Sequence, residues 1–374
     1  MKRTAWIGDL HMGVRSANHH FLDFQYQWLE WMVDQLIEQR IPRMVFVGDL
    51  FDVRKTMHGR VYEFLIVRLI PLLERYAAAM KAIDLEAEIL AITGNHDITL
   101  RESNRISWVE MLNRLSKGLV QSFQEAELYT SPVDGVQIGM LPWINDENRE
   151  VSMKFLAETE AKVIVGHLEL AGFPMYAGVP SGHGMEAGVF DRFDLVVTGH
   201  YHTRSERRNI HYIGSPYHLT WSDFVDGDNR GITILDHDTM EVSQINNPDW
   251  MTMFSVVTYD PKADYSKPEL LDSYKGTIMK IVVEEHGTPA HMKKFLAEIN
   301  KLELIDFAVI DKTIMTKGED AAAEPGAEQE EINITLKTNE VISNYIERQE
   351  MVSNPARLKA IAANVLARAE AKSA

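Results

Sequence analysis

Five short apolar runs mark the first 200 residues of the chain: AWIGD (5–9), MVFVGD (44–49), ILAITGNHD (89–97), VIVGH (163–167) and LVVTGH (195–200). Each has the length and composition of a strand, and each contains a Gly followed at once by Asp, Asn or His. A glycine at that point lets the backbone turn sharply, which would place the next side chain at the mouth of a sheet. Between the runs the apolar period changes. Phe21, Phe24, Trp28, Met32 and Leu36 fall on one helical stripe, predicting a helix over 21–39. A second helix is expected over 60–83, bent at Pro71, and a third over 103–116. Later the pattern turns to hairpins, with a DG turn at 134–135 and another near Asp238. Strands alternating with helices and then with hairpins predict an α/β fold whose core is a two-sheet β-sandwich flanked by helices.

The pattern changes register near 247–249. Strands are expected over 254–259, 277–285, 307–314 and 331–337, with a helix near 289–302. This divides the chain into a first domain over 1–248 and a smaller α+β domain over 249–338. Within the second, the acidic stretch 318–331 (GEDAAAEPGAEQEE) has too little apolar bulk for a core and is expected to be a mobile loop. Residues 353–355 (SNP) have the form of a helix start, so 339–374 is expected to be helical, with Leu358, Ile361, Val365 and Leu366 on one stripe.

Composition narrows the chemistry. The 374 residues include no Cys, which removes disulfides and thiolate metal sites and suits a reducing compartment. No apolar run reaches the roughly 18 residues of a membrane span, and the start has no long apolar core of the signal-peptide kind. A cytoplasmic location is expected, without membrane contact. The net charge of −17 disfavours a broad basic nucleic-acid groove. The first hundred residues are nearly balanced, however, and acids there could be neutralised by bound cations.

Those acids gather with other polar residues at the five strand ends: Asp9 and His11, Asp49, Asn95 and His96, His167, then His200 and His202. Carboxylate, amide and imidazole together suit manganese, iron or zinc better than calcium, which prefers oxygen-only shells. The set is large enough for two ions, and Asp49 is the natural shared ligand because a carboxylate has two oxygens. Two ions about 3.5–4 Å apart can clamp a phosphoryl group and generate a nucleophile from water. The other histidines (His19, His20, His58, His211, His218, His237, His286 and His291) lie outside this series and read as ordinary structural or surface residues.

The ordered series D-x-H, G-D-x-x-D, G-N-H-D, G-H and G-H-x-H resembles the calcineurin-like metallophosphoesterases over roughly residues 1–235. The resemblance implies that Asp9, His11, Asp49 and His202 surround one metal, and that Asp49, Asn95, His167 and His200 surround the other. It implies that His96 meets the substrate phosphate as general acid, with Asp97 hydrogen-bonded to its imidazole. The stretches GDLFDVRK (48–55), LPWINDEN (141–148), GHLELAGF (166–173), SGHG (181–184), IGSPYHLTWSD (213–223) and DNRGITILD (228–236) look like the SbcD-type double-strand-break-repair nucleases, a family that includes recombination nuclease subunits of T-even-type phages.

That narrower resemblance implies a Mn2+-dependent DNA nuclease, with Mg2+ the alternative ion. It would be an exonuclease on duplex ends and an endonuclease on single strands, acting in DNA repair and recombination. The second domain would cap DNA. The C-terminal helices would bind an SbcC-like coiled-coil ATPase, in a heterotetramer built on a homodimer, in the host cytoplasm if the chain is phage-encoded. Relatives often have His where this chain has Asp52, so a carboxylate there is expected to support Asp49 or Arg54. Arg54, Lys55, Arg101 and Arg105 are candidates for the DNA backbone, with solvated surface charge as the alternative, and His183 is a candidate substrate contact. The rival readings are a phosphomonoesterase or protein phosphatase with the same metal site, and a scaffold of this fold without catalysis.

Overall fold

The structure is a computed structural model that describes residues 2–52, 56–176 and 179–315. The chain divides into two compact units, Met1–Ile314 and Met315–Ala374. Arg54, Lys55, the acidic stretch 318–331, the expected strand over 331–337 and the C-terminal helical stripe lie outside the described residues.

Two six-stranded sheets form the centre of the first unit. One runs in the spatial order Glu241–Asn246, Gly231–Asp236, Arg3–Ile7, Arg43–Phe46, Glu88–Ile92, Val120–Phe123, and its last four strands are parallel. The other runs Ser205–Arg207, Ile210–Tyr212, Leu195–Gly199, Val163–His167, Gln137–Leu141, Glu127–Thr130. Alternation along the strands decides the layers. Trp6, Val45, Leu90 and Ile92 of the first sheet pack with Ile138, Met140, Val165 and Val197 of the second. The opposite face of the first sheet (Ala5, Ile7, Met44, Phe46) is covered by the helix His19–Glu38 and by helices drawn from 59–81. The opposite face of the second (Ile164, Val196, Tyr212) packs with Leu156 of the helix Arg149–Glu158. The expected two-sheet sandwich with outer helices is therefore the observed architecture.

Two helices differ from expectation. The bend assigned to Pro71 begins earlier, as a π-turn over Leu65–Leu69 in which the Ile70 N–H bonds to Leu65 O, five residues back. The wider turn leads into Pro71, which has no N–H to donate, at the start of Ile70–Lys81. The helix expected over 103–116 is a strand first: Ser103–Ser107 pairs with Ile98–Leu100, and Ser107 then caps the helix Trp108–Leu115 through Val109 N–H.

The strands Phe254–Thr258, Ile278–Val283 and Asp306–Asp311 form a parallel three-stranded sheet, with the helix Pro289–Ile299 between the last two. Its core (Met279, Ile281, Phe295, Ile299) is separate from those of the large sheets. Among the described residues no helix is long and apolar enough to cross a membrane.

At the end of the first sheet away from the Gly-terminated strand ends, the buried Arg43 guanidinium donates to Glu88 (2.8 Å), Asp134 (2.7 Å) and Thr4 Oγ1 (3.3 Å). A buried pair of this kind is costly to break on one side only. Arg43→Met is expected to destabilise the chain by about 3–5 kcal/mol in chemical denaturation. The double variant Arg43→Met, Glu88→Leu should recover much of that loss, and equal loss in both would contradict a paired-charge role.

Candidate metal centre

The parallel strands deliver the expected polar residues to one edge. Strands ending at Ile7, Phe46, Ile92 and Gly199 release Asp9, Asp49, Asn95 and His200 into adjacent loops, and His167 is itself the last residue of its strand. The His11 N–H donates to Asp49 O (2.9 Å) and Met12 N–H to Leu50 O (2.9 Å), so the first two loops run side by side. Asp49, His11 and His200 have φ of 48°, 46° and 90°. Left-handed backbone at non-glycine residues costs free energy, and here it aims three side chains into one space.

Sharp turning explains only one of the five strand-end glycines. Gly48 has φ +85°, whereas Gly8, Gly94, Gly166 and Gly199 are absent from the left-handed region. Gly94 is required for close approach: a Cβ there would collide with the backbone N and the carboxylate of Asp49. One at Gly48 would also meet the His167 ring.

Asp49 Oδ2 lies 3.5 Å from His11 Nε2 and 3.3 Å from His167 Nε2, while Oδ1 accepts His96 N–H at 2.7 Å. Asn95 Oδ1 lies 3.0 Å from both His167 Nε2 and His200 Nδ1. His202 Nε2 is 3.2 Å from His11 Nε2. Asp9 Oδ1 accepts His200 N–H (2.9 Å). All seven residues proposed as ligands from the sequence are thus brought together.

This set fits divalent ions. Asp9 is fully buried and its Oδ2 has no hydrogen-bond partner, an expensive arrangement for a carboxylate oxygen without a cation. Ligand atoms of Asp9, His11 and Asp49 lie within 4.8 Å of one another, as do those of Asp49, His167 and His200. His167 Nδ1 faces Val47 O at 2.9 Å, which turns Nε2 toward Asp49 and Asn95. A backbone carbonyl in that role fixes both tautomer and ring orientation.

Charge is tightly coupled across the centre. Burial alone would lower the His167 pKa, but the Asp49 and Asp9 carboxylates outweigh it and raise it to about 9. Burial and the neighbouring His167 charge lower His200 to about 3. Asp49 is held well below the usual carboxylate range: burial opposes its charge, and His167, His11 and His96 overcome that opposition.

Two roles need correction. Asp97 does not orient His96: its carboxylate is buried and accepts N–H bonds from Phe51 (2.9 Å) and Gly94 (2.8 Å), tying together the loops after the second and third strands. Burial and the nearby Asp49 charge raise its pKa to about 7. The carboxylate beside His96 is Asp52, whose Oδ1 lies 3.3 Å from His96 Nδ1 and 3.2 Å from His11 Nδ1. Asp52 therefore supports two imidazoles and not Asp49; the alternative partner expected for it, Arg54, lies outside the described residues. Burial opposes its charge, yet the contacts with His11 and His96 hold its pKa down to about 2.

His183 lies outside the cluster and pairs with Glu169 (3.2 Å) at the edge of a neighbouring cavity. Arg105 pairs with Glu147. Two further residues meet the cluster without any signal in the sequence pattern. Asp223, in a capping box with Thr220, lies 3.4 Å from His202 Nδ1. Trp143 packs its ring 5.2 Å from that of His200. Both sit in quoted motif stretches, but nothing in those stretches says which way their side chains face.

The family profile described as calcineurin-like phosphoesterase matches residues 2–204. Exonuclease subunit 1 of Enterobacteria phage T4 is 27% identical over 301 residues, covering 79% of this chain and 80% of that protein. A dimetal phosphatase from Danio rerio matches at 12% identity with a TM-score of 0.33, covering 62% of this chain and 91% of that one.

A metal ion held at His167 Nε2 would compete there with a proton. Below a pKa of about 9 the free centre holds that proton, so binding must release it and affinity should rise with pH, by up to ~10-fold per unit, until about pH 9. Calorimetric titration with Mn2+ at three pH values, in buffers of different ionisation enthalpy, measures both affinity and proton release. A flat profile would contradict the site as described.

Proposed function

The chain belongs to the calcineurin-like phosphoesterase family, and we propose that within it this protein is a metal-dependent DNA nuclease. The family makes it a hydrolase. The observation that carries the two-metal hydrolase reading is Asp49, set between two imidazole groups with His96 held beside them and outside both. A phosphatase would share it, and the nuclease reading rests on the sequence similarity. The extended similarity to a phage exonuclease subunit supports DNA as the substrate and a second subunit as partner.

In this reading Asp9, His11, Asp49 and His202 hold one ion, and Asp49, Asn95, His167 and His200 hold the other. Mn2+ is the expected ion and Mg2+ the alternative, since hard oxygen donors and imidazoles are mixed. When bound, the ions supply charge neutralisation for the phosphodiester and a nucleophile at neutral pH.

The chain's own residues do the rest. The backbone contact from His96 N–H to Asp49 and the Asp52 carboxylate at Nδ1 fix the His96 ring in place. With Nδ1 turned to Asp52, His96 Nε2 is the ring atom left to serve the leaving oxygen as general acid. Asp223 holds the His202 ring by the same device at Nδ1. The small cavity bounded by His11, Asp49, Asp52, Asn95, His96 and His202 receives the phosphate.

The first domain, 1–248, carries this chemistry. Residues 249–338 cap the DNA and 339–374 bind an SbcC-like coiled-coil ATPase, with a homodimer at the centre of a heterotetramer. The protein works in the cytoplasm, in repair and recombination of DNA ends, as exonuclease on duplex ends and endonuclease on single strands.

Digestion of end-labelled duplex, hairpin and single-stranded DNA with Mn2+, with and without the cognate ATPase and ATP, tests this reading. Cleavage of DNA supports it, and turnover of phosphomonoesters alone would overturn it. Asn95→Ala should lower metal occupancy. His96→Ala should keep occupancy and lower kcat by roughly 10²–10⁴-fold. Equal metal loss in the two variants would contradict the division of roles.

A further inference from the structure

Asp52 meets the cluster from outside the two ligand sets. Its Oδ1 lies 3.2 Å from His11 Nδ1 and 3.3 Å from His96 Nδ1, and ligand atoms of the three residues fall within 4.8 Å of one another. We propose that Asp52, His11 and His96 form a third metal site, selective for Zn2+ over Mn2+, whose occupation switches off the centre beside it. The inhibitory role rests on the nuclease reading, in which His96 serves the leaving oxygen. The binding of the ion does not.

The distances suit an ion better than hydrogen bonds alone. Charge-assisted N–H···O contacts are about 2.7–2.9 Å long, shorter than either contact here. Zinc bonds of about 2.0–2.1 Å at tetrahedral angles put neighbouring ligand atoms roughly 3.3–3.4 Å apart. Both Asp52 contacts sit near that spacing. The two rings approach from different directions, with centroids 4.8 Å apart and planes at 84°.

The ligands are also held in advance. Asp52 N–H donates to Met12 O (3.0 Å) and His11 N–H to Asp49 O (2.9 Å), so the loops that carry Asp52 and His11 are stitched together. His96 N–H is fixed by Asp49 Oδ1 (2.7 Å). The Asp52 and His96 side chains are 28% and 32% exposed, and both line the cavity of about 190 Å³ beside the centre. An ion therefore reaches them from solvent and takes water as its fourth ligand.

His11 serves this site with its outer nitrogen. Its Nε2 faces Asp49 and His202, so an ion at Nδ1 leaves the two-ion centre its ligands. The ring then bridges two ions as imidazolate, and its Nδ1 proton goes to solvent. Two nitrogen donors favour Zn2+, which binds them more tightly than Mn2+ does. At His96 the ion occupies Nδ1 and leaves one proton on Nε2, any second ring proton going to solvent. A neutral, metal-bound imidazole gives up that last proton far less readily than an imidazolium does, so the general acid is lost.

The test is a Zn2+ titration of the full-length, metal-free protein. Bound ions are counted by equilibrium dialysis with elemental analysis, and hydrolysis of a phosphodiester model substrate is followed in parallel. The site predicts about three Zn2+ but about two Mn2+ per chain, and about two Zn2+ in Asp52→Ala and in His96→Ala. Turnover by the unaltered protein should fall roughly 10²-fold as the third ion binds. Two Zn2+ per chain in the unaltered protein, or three in either variant, would overturn the site. A rate that stays level through the third equivalent would overturn the inhibitory role. Three ions on a protein that cuts no phosphodiester would leave the site standing and remove the nuclease reading. With two variants, the location stays testable if one of them fails to fold.

Discussion

One buried carboxylate organises the centre. Asp49 is 2% exposed, and its two oxygens face His11, His167 and the backbone N–H of His96, while its carbonyl accepts the N–H of His11. Taking such a group out of water is expensive unless positive charge and hydrogen bonds surround it. The surroundings follow from that demand. Gly48 and Gly94 are bare because a Cβ on either would intrude on Asp49 or on His167 beside it. Asp97 takes two backbone donors from the same loops and so locks the chain around Asp49. Asp52 stabilises the imidazoles that in turn stabilise Asp49.

The scaffold must therefore tolerate three neighbouring buried acids, Asp9, Asp49 and Asp97, together with left-handed backbone at His11, Asp49 and His200. Rigidity comes from the parallel strands beneath, whose alternate residues fill the layer between the sheets on one side and the helix-covered layers on the other. The strain is concentrated at strand ends, where the loops can bend without disturbing either sheet. Functional sites commonly store strain in this way, held by a surrounding structure that over-determines it. Divalent ions would compensate the same acids, which ties folding stability to metal loading.

Much of this was legible in the sequence because it is written in short-range patterns. An apolar run, a Gly and then Asp, Asn or His, repeated five times, specifies both a sheet edge and the candidate ligands delivered to it. The seven candidate ligands were therefore readable one by one. The partners of Asp97 and Asp52 are not legible in the sequence, because loop crossings set them. Asp97 follows His96 in the chain yet points to Phe51 N–H, and Asp52 reaches His96 across 44 positions. Asp223 and Trp143 were missed for the same reason, since each meets its histidine through tertiary packing alone. The strand before Trp108 escaped notice because its partner, Ile98–Leu100, is itself only three residues long.

In the proposed centre Asp49 joins two ions into one unit instead of serving one of two independent sites. Electron paramagnetic resonance of the protein titrated with Mn2+ tests this directly. A bridging Asp49 should give an exchange-coupled spectrum once about two ions are bound per chain, and that coupling should be lost in Asp49→Asn. Two sets of uncoupled Mn2+ signals in the unaltered protein would contradict it.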